Sequence, residues 1–259
     1  MRSNLQNVLR IGIALCLGFT WACVKVDVTV TSQGVPSLRR QPTSPPPTTI
    51  DDLKSLHTQK SCIPSSLVVP KEQQETPAWC WAASARMVMD YHNRSQKPPS
   101  LTPLQCDIVR SVLSPWISGS NCCGNEVASD FIDAPSNCIR GAWPNRVLDH
   151  YQFTYQWIDG AIDDWDALKG ELCSSGPFIT VIEWSGGGKH AFVVKGYNPE
   201  PENPRFTQTV EVYDPFLDDP QDMTFAEFLG DSPRKQYEYH RYSHDLSFVQ
   251  IRPKTKDQP

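Results

Sequence analysis

The sequence predicts an α+β protein in which a helical first part is followed by an antiparallel sheet. Three observations carry this. Between residues 77 and 150, apolar residues recur at three- and four-residue spacings behind Pro77, Pro103 and Pro144, the pattern of helices entered at a proline. From Phe178 onward the apolar residues gather into short runs bounded by Gly, Pro and Asp, as strands require. Cysteines crowd between Cys106 and Cys138, which marks short helices separated by disulfide-stapled loops.

The chain has 259 residues, enough for one large domain or two lobes with a real core. Its formal charge is −5 and its pI about 5.7. No basic run exceeds Arg39-Arg40, so no phosphate-tracking patch exists and a nucleic-acid partner is excluded.

Residues 1–23 read as an export signal, with Arg2 and Arg10 before the apolar run Ile11 to Trp21 and the small Ala22 ahead of Cys23. That run is too short to span a bilayer stably. Two processing outcomes stay open. Thr20-Trp21-Ala22-Cys23 resembles a bacterial lipoprotein box, with Trp21 bulkier than the box prefers, and would leave Cys23 lipidated as a membrane tether; ordinary signal-peptidase cleavage nearby is the alternative. Both take the protein out of the cytoplasm, to the cell envelope or beyond it. Residues 24–60 read as a linker: Val24 to Val30 alternates like a short strand, and Gln33 to Thr49 is rich in Pro, Ser and Thr, a composition that stays extended because it buries too little apolar surface to fold. A tether is its simplest role, since a blocking propeptide would carry more hydrophobic anchors. Residues 61–255 form the expected folded body, taken to be monomeric.

Within that body, Glu72 to Asp90 holds Cys80 between two tryptophans at the start of an amphipathic helix. Trp81, Ala85, Val88, Met89 and Tyr91 fall on a buried face, and Arg86, Asp90 and Asn93 on the other. Thr102-Pro103 opens a helix through Leu104, Ile108, Val109 and Val112, and Pro144 opens another through Val147 and Leu148; both are expected beside the Cys80 helix. Asp163 to Cys173 is a fourth helix, with Trp165 and Leu168 on one face. Ser175-Gly176-Pro177 turns the chain into a strand over Phe178 to Trp184, and Gly186-Gly187-Gly188 leads to a strand over His190 to Gly196. Thr209 to Tyr213, Gln236 to Tyr242 and Ser247 to Ile251 supply three more strands.

Cysteine arithmetic singles out one thiol. Setting aside Cys16 and Cys23, seven cysteines remain: Cys62, Cys80, Cys106, Cys122, Cys123, Cys138 and Cys173. In an oxidising compartment, three disulfides among six of them leave one free. The free one should be Cys80, because a helix N-terminus favours the thiolate; a buried structural cysteine is the plain alternative. The connectivity of the other six is not legible. No CxxC pair is present, so no metal and no cofactor is expected.

A thiolate nucleophile needs an imidazole to take up and return a proton, and a polar group to hold that imidazole. His190 opens a hydrophobic strand behind three glycines, and Asp214 ends a neighbouring strand before Pro215. They are the best base and orienter. His150 and His92 are the rivals; His57, His240 and His244 fall in less structured or tyrosine-rich polar segments and read as surface residues.

Gln74, Trp79-Cys80-Trp81-Ala82-Ala83-Ser84, Gly188-Lys189-His190-Ala191-Phe192 and Val212-Tyr213-Asp214-Pro215 together resemble the bacterial papain-like cysteine peptidases of the AvrRpt2-like and C39-like type, over roughly residues 65–250. Leu104-Gln105-Cys106, Cys122-Cys123 and Cys138 to Pro144 resemble that family's disulfide-bearing loop. The resemblance implies a papain-like two-lobed fold, with Cys80 as nucleophile, His190 as general acid/base and Asp214, where plant papains carry Asn, as orienter. It also implies Gln74 as oxyanion donor, with Gln73 the close alternative, and Trp79 and Trp81 walling the substrate cleft. The function so implied is hydrolysis of a peptide or protein through a thioester. An acyl-transfer or deamidating enzyme on the same triad, and a catalytically silent binding module, are the alternatives.

Overall fold

The structure is a computed structural model, and it describes residues 9–15, 24–30, 48–57, 67–96, 100–117, 121–124, 134–198, 208–230 and 241–255. The chain falls into two units, Met1–Arg39 and Arg40–Pro259. In the first, β1 (Leu9–Leu15) pairs antiparallel with β2 (Val24–Val30), so the alternation of Val24 to Val30 does belong to a strand.

The second unit is built on a six-stranded sheet in the order β3-β8-β4-β5-β6-β7, every neighbouring pair antiparallel. Its strands are β3 (Phe153–Asp159), β4 (Phe178–Trp184), β5 (Lys189–Tyr197), β6 (Thr209–Tyr213), β7 (Gln221–Thr224) and β8 (Tyr242–Pro253). Helices cover both faces. Ile179, Val181, Ala191, Val193 and Phe248 look onto one core with α2 (Cys80–Ser95), α3 (Gln105–Leu113) and α4 (Pro144–His150). Phe178, Ile182, Phe192, Val194 and Val249 look onto the other with α1 (Ile50–His57), α5 (Trp165–Ser174) and α6 (Phe225–Phe228). The strict alternation of β4 and β5 residues between two cores explains why both strands read as continuous apolar runs. The α+β class and the helical-first order are those the sequence predicts.

α2 is the central helix. It packs on α3, α4, β4, β5 and β8, and is buried almost all round: Ala82, Ala83 and Ser84 are as inaccessible as Trp81 and Val88. The expected polar side is correspondingly narrow. Asn93 does not belong to it, being 8% exposed, with its Nδ2 donating to Thr102 Oγ1 at 3.0 Å while that hydroxyl donates to Asp90 Oδ1 at 3.0 Å. A buried amide is tolerated there because it is bonded.

Three elements differ from the sequence reading. The linker expectation runs to residue 60, whereas Ile50–His57 is helical: Thr49 and Asp52 exchange capping hydrogen bonds, and Leu53 is fully buried beside α5. Averaging composition over a Pro/Ser/Thr-rich window hid a short capped helix. β3 was not foreseen, although Phe153, Tyr155 and Trp157 alternate with Thr154 and Gln156 as a strand should. β8 is one strand of twelve residues from Tyr242 rather than two separated by residues 243–246; residues 236–240 lie outside the described ones. Of the three glycines before β5, Gly187 and Gly188 both have φ of +91° and serve the β4–β5 turn.

Candidate active site

Cys80 is the first residue of α2 and, among the described residues, the free cysteine. A helix start commonly has Ser, Thr, Asp or Asn capping its exposed N–H groups. Here the capping position is Trp79, no side chain caps the end, and the first turn holds no acidic residue. The N–H donors and the positive end of the helix are therefore left for whatever sits at Cys80. One turn along the same face, Ser84 Oγ donates to the Ala191 carbonyl at 3.0 Å, which fixes α2 against β5 and brings Cys80 beside His190.

His190 Nε2 donates to Asp214 Oδ1 at 2.7 Å, with the histidine side chain 11% and the aspartate side chain 1% exposed. The same carboxylate oxygen accepts from the Phe216 N–H at 2.8 Å, so Asp214 is held by the turn that follows β6. The imidazole is also hydrogen-bonded to Cys80; with Nε2 committed to Asp214, Nδ1 is the nitrogen left for the sulfur. Burial acts to push His190 down, but the Asp214 carboxylate and Cys80 outweigh it, and the imidazolium is held up to about 10. Trp184 stacks on the ring at 6.3 Å with planes 25° apart, an assignment the sequence did not offer, because a tryptophan ending a strand has no local signature of what it covers.

Gln74 lies 3% exposed in the segment before α2. Its backbone N–H donates to the Pro215 carbonyl at 2.9 Å, which ties the approach to Cys80 to the residue after Asp214. Its Nε2 donates to Thr76 O at 3.0 Å, the carbonyl that also accepts from Trp79 N–H at 3.2 Å. Gln73 points elsewhere, exposed and donating to Asp218.

The tryptophans do not wall an open cleft. Trp79 is 0% and Trp81 1% exposed, and their indole N–H groups donate to the carbonyls of Cys138 and Arg140 at 2.9 and 3.0 Å. Tryptophan is buried with its N–H paired, and here both anchor the disulfide-bearing loop to the helix start. That loop holds two of the expected bridges, Cys106–Cys123 and Cys122–Cys138. Cys173 is also disulfide-bonded; Cys62 and Cys23 lie outside the described residues. Cys106, Asp107 and Cys123 lie close enough to suggest a cation site, but the bridge between the two cysteines removes them as thiolate ligands.

The rival histidines stand away from Cys80. His150 is exposed and ring-packed on Tyr151. His92 is pushed down to about 4 by burial and by Arg252, with Nε2 buried and unpartnered. His240 and the side chain of His57 lie outside the described residues. His244 is not a surface residue: its Nε2 donates to Phe228 O at 2.5 Å, Nδ1 meets Thr180 Oγ1 at 2.7 Å, and burial pushes it down to about 4. Its polar neighbours in sequence concealed that β8 runs through the middle of the sheet.

An unpaired thiol at a bare helix start, facing an imidazole and carboxylate from adjacent strands, is the arrangement of a cysteine peptidase. The model of the Peptidase_C39 like family matches residues 66–243, and the chain belongs to that family. No curated protein sequence matches. Among solved structures, the chain is similar to procathepsin B S9 from Trypanosoma congolense at 11% identity, covering 82% of this chain and 84% of that one with a TM-score of 0.48. A structure from work on antibody cross-reactivity between the mite allergens Blo t 1 and Der p 1 is similar at 9% identity, covering 73% and 71% with a TM-score of 0.45.

Proposed function

We propose that this peptidase is exported and cleaves peptide bonds through a Cys80 thioester, with His190 as acid and base and Asp214 as orienter. The observation that carries the reading is the His190–Asp214 pair at 2.7 Å beside the free Cys80. In the resting enzyme His190 is charged and hydrogen-bonded to Cys80, which attacks as the thiolate. The sulfur attacks the scissile carbonyl carbon, and the C=O electron pair moves onto oxygen. That oxyanion sits among the α2 N-terminal N–H groups and the second hydrogen of Gln74 Nε2, the first being donated to Thr76. His190 then protonates the leaving nitrogen, the C–N bond breaks, and the thioester remains. Water, deprotonated by the now neutral His190, attacks the thioester; the C–S bond breaks and the Cys80 thiolate and imidazolium are restored. Asp214 stays ionised throughout and holds the ring in one orientation.

Export rests on the charged and apolar pattern of residues 1–23 and is in keeping with the disulfides. Among the described residues no helix is long and apolar enough to cross a membrane; the tether offered by the sequence is a lipidated Cys23. The test is cleavage of a mixed peptide library by wild type and by Cys80→Ala, with mass spectrometry of the acyl-enzyme. Peptide products and a Cys80 adduct are expected from wild type alone. Glutamine deamidation or amine incorporation without cleavage would replace this reading with acyl transfer.

A further inference from the structure

The segment before Cys80 is gripped by a side chain from another helix. Gln105, the first residue of α3 and 2% exposed, donates through Nε2 to the Gln73 carbonyl at 2.6 Å and accepts through Oε1 from the Glu75 N–H at 3.1 Å. One carboxamide thus makes a two-point, strand-like pairing with the backbone on both sides of Gln74. Its second N–H reaches Glu72 Oε2 at 3.4 Å, so every polar group of the amide is engaged. On the opposite side, the Gln74 N–H is held by Pro215 O at 2.9 Å. Glu72 is paired in turn with Arg86 of α2, whose Nε donates to Pro103 O at 2.5 Å.

We propose that Gln105 is a positioning residue which sets the Gln74 carboxamide at the start of α2, and so tunes stabilisation of the oxyanion without touching substrate. The proposal rests on the reading of Gln74 as an oxyanion donor. Gln74 has two backbone torsions by which it could swing, and pinning the carbonyl before it and the N–H after it removes both. The cost of a loose donor is steep, because a displacement of about 1 Å at a reacting centre lowers rates by up to roughly 10²-fold. The adjacent Cys106–Cys123 bridge fixes the start of α3 in turn, so the disulfide loop reaches the site through one amide.

The test compares wild type, Gln74→Ala, Gln105→Met and the double variant with carbobenzoxyglycine p-nitrophenyl ester as acyl donor, alongside alkylation of Cys80 by iodoacetamide. Alkylation is displacement at a saturated carbon and develops no oxyanion. Gln105→Met, close in volume but without the three hydrogen bonds, is expected to lower kcat roughly tenfold with KM and alkylation rate near wild type. Gln74→Ala should lower kcat about 10²-fold, and adding Gln105→Met to it should lower kcat no further. A full additional loss in the double variant would overturn the proposal, as would a wild-type kcat in Gln105→Met. Gln74→Ala with unchanged kcat would instead remove the reading of Gln74 on which it rests. Gln105→Leu also removes the three hydrogen bonds without adding a buried charge, and serves if the methionine variant fails to fold; it should show a similar kcat loss, and wild-type kcat there would equally overturn the idea.

Discussion

His190 and His244 occupy one row of the sheet, on either side of Ile182, which pairs with both, yet one is charged and the other neutral. On the β5 side, Asp214 and Cys80 overcome burial and hold His190 protonated, up to about 10. On the β8 side, His244 meets a carbonyl and a hydroxyl and burial leaves it neutral, down to about 4. The same imidazole in the two strands that flank β4 is thus a charged partner of a carboxylate at one position and a neutral structural linker at the other. The partner decides it, since burial acts against charge at both.

The largest effect that sharpens this contrast is on activity. His190→Ala should lower kcat/KM by about 10³-fold or more and slow Cys80 alkylation at pH 6, whereas His244→Gln should stay within a few-fold of wild type on the same ester. Equal losses in the two variants would erase the distinction. Next in size is Asp214→Asn, which keeps the hydrogen-bonding shape but removes the charge that raises His190. Because the raised value keeps His190 protonated well above pH 6.5, its contribution to stability is complete below that value and is lost as pH rises toward 10. The variant should therefore lose the alkaline limb of the alkylation profile at lower pH than wild type, by about one unit or more. An unmoved limb would assign the charge on His190 to Cys80 alone.

Acid stability tests the other side. His244 and His92 both have folded values near 4, below the ordinary value, so the unfolded chain binds more protons between pH 6.5 and 4. Stability should fall as pH falls through that window and level off below it, by on the order of a few kcal/mol. Urea midpoints for His244→Gln should fall less steeply over the same window; an unchanged slope would place the acid sensitivity elsewhere. The smallest effect is expected of Thr180→Val. It removes the hydroxyl bridging His244 to Ser247 Oγ and should cost about 1–2 kcal/mol in urea unfolding with the activity unchanged.

The contrast also marks what a sequence can carry. Cys80, His190 and Asp214 were legible because each sits at the end of an element with its own local signature: a helix start, a turn into a strand, a strand stopped by proline. Gln105, Ser84 and Trp184 act across the fold, and no spacing in the chain announces that Gln105 will bracket residue 74. His244 was misplaced for the same reason, its neighbours being Thr180 of β4 and Phe228 of α6, which its own polar segment does not announce. Trp79 and Trp81 show the converse. Their position beside Cys80 was plain, but their direction, away from solvent and onto the Cys138 and Arg140 carbonyls, follows from a loop 59 residues later.

The bridges from Cys122 and Cys123 impose one further demand. The proposed reaction needs Cys80 reduced, while Cys106, Cys122, Cys123 and Cys138 hold the surrounding loop only as disulfides. The working enzyme therefore occupies a bounded range of reduction potential: reducing enough to return an oxidised Cys80 to the thiol, and too weakly reducing to open the loop that supports it. Titration with a graded glutathione buffer should give activity that rises and then collapses as the poise becomes more reducing, with the midpoint of the collapse set by the bridges rather than by the nucleophile.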